Sequence, residues 1–167
     1  CFLKKGRCSY ILPSTGERCR RRQYIGFDVC FQHLAKAYKV RIAPTTLPNT
    51  QGKGLFAYKG SSPNQDIVFR PNDNIISYRG EPVSAEDLEH RYGNKTAPYA
   101  LQLNKTSFLD AGCERGVGSL ANHKSRTYAN AKLSSFRGEV RLKATKNIRN
   151  GDEIFVSYGD VYRLKEE

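Results

Sequence analysis

Gly118-Ser119-Leu120-Ala121-Asn122-His123 and, thirty-odd residues on, Asp152-Glu153-Ile154-Phe155-Val156-Ser157-Tyr158-Gly159 are the two stretches on which the fold of this chain turns. The first sets small residues against an Asn-His pair, giving up apolar burial for polar geometry. The second is a strand-like apolar run closed by Tyr-Gly. Neither has the composition of plain core or plain loop. The rest of the sequence reads as scaffolding that brings the two together.

Working outward from them, the local patterns are mostly those of short strands. Residues 99–103 and 107–111 alternate in polarity and predict a hairpin about Asn104-Lys105-Thr106. Further strands are expected over 39–43, 139–144 and 154–158, and from Asn74 to a turn near Gly80. A polar loop is expected between Ala57 and Asn74. Ser84 stands where an N-cap belongs, with Glu86 and Asp87 in the first turn, so a short helix should run to Tyr92. Residues 34–38 read as a short helical tail of what precedes them. The fold class is α+β, mostly β. Gly52-Lys53-Gly54-Leu55 lacks the third glycine and the strand-to-helix context of a dinucleotide fingerprint. Alone it reads as a tight turn between strands, although two glycines also let a backbone come close to a ligand.

The 167 residues suggest one domain with a small appendage. Apolar residues make up 38%, enough for a modest core. No apolar run reaches membrane-spanning length and no leader pattern opens the chain, whose Cys1 start reads as a position inside a longer protein. Of the +12 formal charge, residues 1–41 hold +8, from ten Lys/Arg against Glu17 and Asp28. Such a segment attracts polyanions, nucleic acid first, or is simply a solvated face.

Four of five cysteines fall in the first 30 residues, and an odd count without a leader favours a reducing, intracellular compartment over disulfides. Cys8, Cys19, Cys30 and His33 offer three thiolates and an imidazole, the set that tetrahedral zinc takes. A segment this short has little core of its own, so a metal would supply its folding energy. Unrelated thiols are the alternative, and Cys1 is a possible substitute ligand. The pattern resembles the element of three cysteines and one histidine in plant WRC-type and related chromatin-associated modules, with their basic run after the second cysteine. That resemblance implies DNA contact by Arg18, Arg20, Arg21 and Arg22, or contact with a protein instead.

Taken in order, Gly52-x-Gly54-Leu55-Phe56-Ala57, Tyr78-Arg79-Gly80-Glu81, Tyr99-x-Leu101-x-Leu103, Asp110-Ala111, Asn122-His123, Asn130-Ala131 and Ile148-x2-Gly151-Asp152-Glu153-Ile154-x3-Tyr158-Gly159 resemble the SET-domain lysine methyltransferases over residues 40–162. The resemblance implies a β-clip fold with a C-terminal pseudoknot-like crossing over 39–167, preceded by a zinc module over 1–38. It implies S-adenosylmethionine held by Lys53, Gly54, Leu55, Tyr78, Asn122, His123 and Tyr162. Tyr158 and Tyr78 would be the catalytic tyrosines, with Tyr99, Leu133 and Val156 along the lysine channel. Val156 and Leu133 carry no hydroxyl, which favours room for di- or trimethylation. The substrate would be a histone tail or another lysine-containing protein, on chromatin in the nucleus. A catalytically silent chromatin-binding scaffold is the rival. Departures from the family pattern are Ser119 where an Arg is usual, Lys124-Ser125 after His123, a displaced Asn130, and no cysteine cluster after Tyr162.

Overall fold

The structure, a computed structural model, describes residues 6–24, 27–93, 97, 99–136 and 139–158; Cys1 and Tyr162 lie outside them. Residues 6–24 form an irregular knuckle tied by single bridges, Arg7 to Arg22 and Ile11 to Arg18. Two arginines stitch it together. Arg7 Nε donates to the Cys19 carbonyl and Arg18 Nε to the Cys8 carbonyl, both at 2.9 Å. A single 3-10 turn, Phe31–His33, leads into α1 (Leu34–Tyr38), which stops where Lys39 turns left-handed at φ 54°.

Beyond it, β1 (Val40–Pro44) pairs antiparallel with β2 (Lys53–Ala57). The loop read as polar contains β3 (Ile67–Phe69), which pairs with a late strand at Ile148–Arg149. Then come β4 (Asn74–Tyr78), β5 (Glu81–Ser84) and α2 (Ala85–Tyr92). The expected cap is present as a full capping box: Ser84 Oγ accepts from the Asp87 N–H, and Asp87 accepts from the Ser84 N–H. Such a cap stabilises a short helix by about 1 kcal/mol. The expected hairpin appears as β6 (Ala100–Gln102) and β7 (Ser107–Asp110), with β5 completing the sheet order β5-β7-β6. Asp110, only 1% exposed, accepts from Tyr92 Oη, Arg91 Nη1 and the Gly112 N–H, which fastens α2 to β7.

A 3-10 turn, Val117–Leu120, precedes β8 (Asn122–His123). The described residues continue with β9 (Ala131–Phe136), β10 (Glu139–Ala144), β11 (Ile148–Arg149) and β12 (Phe155–Val156). Five strands form the central sheet in the order β4-β10-β9-β12-β8. The last strand therefore enters between two strands laid down earlier, parallel to both: Phe155 faces Asn122, and Val156 faces His123 and Ala131. This is the crossing expected of the chain. The strand is shorter than the expected 154–158, because the preceding residues pair elsewhere. Glu153 bridges Phe56 and the Ile154 N–H reaches the Leu55 carbonyl, so the chain changes partners from β2 to β8 and β9 at that point.

Among the described residues one buried apolar cluster reaches from the N-terminal segment into the sheets. Cys8, Val29 and Leu34 of the N-terminal segment belong to the same buried cluster as Leu55, Leu142 and Ile154. At about 25 cal/mol per Å2 of apolar surface removed from water, that shared burial joins the two parts more firmly than a linker would.

Candidate active site

Beneath the Asn122–His123 strand lies a buried carboxylate that the sequence did not mark as a site residue. Glu153 is 5% exposed, and its oxygens accept from Thr45 Oγ1 (2.8 Å), the Thr46 N–H (2.7 Å), Thr46 Oγ1 (2.6 Å) and Asn122 Nδ2 (3.0 Å). Burial pushes its carboxyl up, but the Thr46, Asn122 and Thr45 donors outweigh burial and hold it below the ordinary carboxylate range. Gly54 owes its identity to this group. A Cβ there would lie 2.1 Å from Glu153 Oε1 and 3.2 Å from Asn122 Nδ2. The G-x-G is thus no turn between strands: Gly54 sits inside β2, and a buried carboxylate occupies the space its side chain would take.

Asn122 Nδ2 also reaches Thr45 Oγ1 and the Lys53 carbonyl. Asn130, displaced in sequence, is nonetheless used twice: its Nδ2 donates to the Glu153 carbonyl at 2.8 Å and its Oδ1 accepts from the Phe155 N–H at 2.9 Å. Both amides therefore hold the segment that leads into β12.

Tyr158 joins the two opening stretches. Its Oη donates to the Ala121 carbonyl at 2.9 Å, and its backbone N–H donates to His123 Nδ1 at 3.1 Å. The His123 and Tyr158 rings stack at 5.1 Å. On its other side Tyr158 borders a cavity of about 380 Å3. One wall of that cavity is Tyr78, Leu133, Ser119 and Tyr158; the other is Leu88, Tyr99, Leu101, Gln102 and Phe108, with two alanines. Tyr78 Oη donates to the Tyr99 carbonyl at 2.8 Å, bridging the walls. Ser119, where an arginine was expected, is buried and donates Oγ to the Gly116 carbonyl, which closes the 3-10 turn locally.

The remaining candidates divide. Leu55 is fully buried in the core and its carbonyl accepts from the Ile154 N–H, while Lys53 is exposed and donates Nζ to Tyr24 Oη at 3.0 Å. Leu133 lines the cavity; Val156 is 1% exposed in the core and does not. Glu153, Thr45, Thr46, Leu88 and Phe108 were not singled out from the sequence. An acid set against the apolar run 154–156 was the available signal for Glu153. Nothing in the spacing marked the rest.

At the other end of the chain, the ligand atoms of Cys8, Cys19, Cys30 and His33 all lie within 4.8 Å of one another, and all four residues are buried. Zinc bonds of about 2.3 Å to sulfur imply tetrahedral edges of about 3.8 Å, so these four donors fit one ion. Burial, then Lys36 and Arg21, keep the His33 imidazole below its ordinary value, in the neutral form that can ligate. Tyr10 stacks on that ring at 4.1 Å, and the Cys30 N–H donates to Cys8 Sγ at 3.1 Å. Arg20, Arg21 and Arg22 are exposed nearby, Arg20 in a surface pair with Glu17. Arg18 is exposed too, but its guanidinium is engaged with the Cys8 and Arg7 carbonyls.

Comparison with known proteins agrees with this geometry. Residues 52–159 match the SET domain family. N-lysine methyltransferase KMT5A-A of Danio rerio is 26% identical over 121 residues, covering 66% of this chain and 33% of that protein. The chain thus spans about a third of the length of this curated relative. The matched span takes in β2, the Asn122-His123 strand, the strand threaded beside it and Tyr158, and on that footing the chain belongs to the SET domain family.

Proposed function

We propose that this chain transfers a methyl group from S-adenosylmethionine to the ε-amine of a protein lysine. The observation that carries the proposal is Tyr158, whose one side chain touches both the Ala121–His123 segment and the apolar cavity. On the cofactor side, β8 is the outer strand of the five-stranded sheet among the described residues, and an edge strand offers backbone N–H and C=O groups to an adenine. Asn122, His123 and the backbone of 53–55 are the groups that would hold it. When bound, the cofactor supplies an electrophilic sulfonium methyl.

The protein's part is to deliver a neutral amine. With a reference pKa near 10.4, about one lysine in 2,500 is neutral at pH 7. The cavity walls disfavour the charged form by desolvation and exclude water. Tyr78 and Tyr158, which line the cavity, would frame the lysine end and orient the amine. Tyr158 Oη, held by the Ala121 carbonyl, would accept weak C–H···O contacts from the methyl group. The N-terminal module carries one structural zinc ion on Cys8, Cys19, Cys30 and His33, and Arg20, Arg21 and Arg22 meet the phosphates of DNA. A histone tail on chromatin is the substrate this arrangement favours, with a nuclear location; a non-histone protein is the alternative.

Labelled-methyl transfer to histones and to a lysine peptide array tests the reading. Transfer is expected, and Tyr158→Phe should lower it at least tenfold, about 1.4 kcal/mol of barrier. Tight DNA binding without transfer to any substrate would leave a silent chromatin-binding module in its place.

A further inference from the structure

The cavity beside Tyr158 is larger than its lysine needs, and the surplus has a chemical character of its own. The four methylenes and nitrogen of a lysine arm are five heavy atoms, which fill about 150 Å3 at a water's share of about 30 Å3 each. The cavity measures about 380 Å3. Its tyrosine wall, with Tyr78 and Tyr158, belongs to the lysine. The opposite wall is built from a different part of the fold: Leu88 on α2, Leu101 on β6 and Phe108 on β7.

Three features of that second wall bear on what it receives. Among its described residues none is charged, in a chain where 26% of residues are. Leu88, Leu101 and Phe108 are each half-buried, so their apolar surface is partly open to the cavity instead of spent in the core. The wall is also held in place. The buried Asp110 carboxylate ties α2 to β7 through Arg91 and Tyr92, and Arg91 pairs in addition with Glu81 of β5. A fixed apolar surface without a counter-charge penalises an arginine or lysine that must be desolvated unpaired, and it rewards an apolar side chain.

We propose that the α2–β6–β7 wall seats a large apolar side chain adjacent to the target lysine. The enzyme then selects Leu-, Ile- or Phe-flanked lysines over lysines flanked by Arg or Lys. The inference rests on the lysine-methyltransferase reading and narrows its substrate class. Within basic histone tails, only a lysine with an apolar neighbour would qualify.

The test is a peptide library with one fixed lysine and Ala, Leu, Phe, Arg or Glu at each of the two positions on either side. Binding is read by fluorescence polarisation and transfer by mass spectrometry. At one flanking position Leu or Phe should exceed Ala and Arg by about tenfold to a hundredfold in kcat/KM, with tighter binding in the same order. Leu88→Arg, on a helix with no buried residue, should reduce that ratio to below about threefold. Leu101→Ala should do the same if the first variant fails to fold. Arg-flanked peptides that bind and react as well as Leu-flanked ones overturn the proposal, and so does a preference that survives in both variants. Absence of transfer to every peptide would refute the methyltransferase reading. The polarisation ranking decides the present proposal separately.

Discussion

Replacing Glu153 by Gln should destabilise the fold and loosen the cofactor side of the site together. Each oxygen of the carboxylate takes one hydroxyl, which can turn, and one N–H, which cannot: Oε1 faces Asn122 Nδ2 and Oε2 faces the Thr46 N–H. Whichever way the new amide is placed, its NH2 meets an N–H head-on. Turning the Asn122 amide to relieve one placement strands the Lys53 carbonyl instead. Loss of one charge-assisted bond, about 1.5–3 kcal/mol, plus a buried donor left unpaired, about 1–3 kcal/mol, gives about 3 kcal/mol after partial relaxation. For 167 residues that is roughly 6–12 °C in Tm.

The pH dependence makes the test sharper. A carboxylate held below its unfolded value stabilises the fold fully above about pH 4.3, and this stabilisation is lost as pH falls through the lower folded value. Urea unfolding of both proteins from pH 7 to pH 3 should therefore show curves about 3 kcal/mol apart at pH 7 that draw together toward the acid end. Glu81, Asp87 and Glu139, held low by Arg91, Ser84 and Arg141, titrate in both proteins and cancel. Curves that stay parallel throughout, or a gap below about 0.5 kcal/mol at pH 7, would refute this account of Glu153.

Other outcomes follow from the same geometry. Gly54→Ala drives a Cβ to 2.1 Å from Glu153 Oε1 and should cost at least about 2 kcal/mol, with weaker S-adenosylmethionine binding by calorimetry. Elemental analysis should find one zinc per chain. A chelator, or Cys30→Ser, should lower the unfolding midpoint of the whole chain, since Cys8 and Leu34 share a core with Leu55; a midpoint unmoved by metal loss contradicts the site. Alanine at Arg20, Arg21 and Arg22 together should flatten the salt dependence of duplex DNA binding by about 2–3 units of slope, at about 0.9 per phosphate contact. An unchanged slope would move DNA contact elsewhere.

What the sequence made legible is what local chemistry decides. The Ser84 cap, the hairpin at 104–106 and the helical 34–38 segment announce themselves within a few residues, the Cys/His set by residue type across 8–33, and all are present. β9 was missed because Lys132, Ser134 and Ser135 make it read as polar, and only its place between β10 and β12 makes it a strand. β3 hid in a loop for the same reason: three residues long, it exists through its pairing with β11 about eighty positions away. The role of Glu153 was illegible because its partners stand at 45, 46 and 122. No window of neighbouring residues contains that network. Gly54 shows the converse error, a glycine ascribed to a turn when its missing side chain makes room for a distant acid.

The threading of β12 between β8 and β9 has a consequence in time. Both flanking strands leave the ribosome before β12 does, and β8 and β9 are not paired with each other. Until β12 arrives, Asn122 lacks the Glu153 acceptor and His123 lacks the Tyr158 ring and N–H. A nascent chain that ends shortly before residue 150 holds the Cys8–His33 knuckle, β1–β2, the β5–β7 unit and most of the cavity wall, yet lacks Glu153 and Tyr158. The junction of Asn122, His123, Glu153 and Tyr158 is therefore all-or-none with respect to synthesis, and it is completed only when β12 is in place.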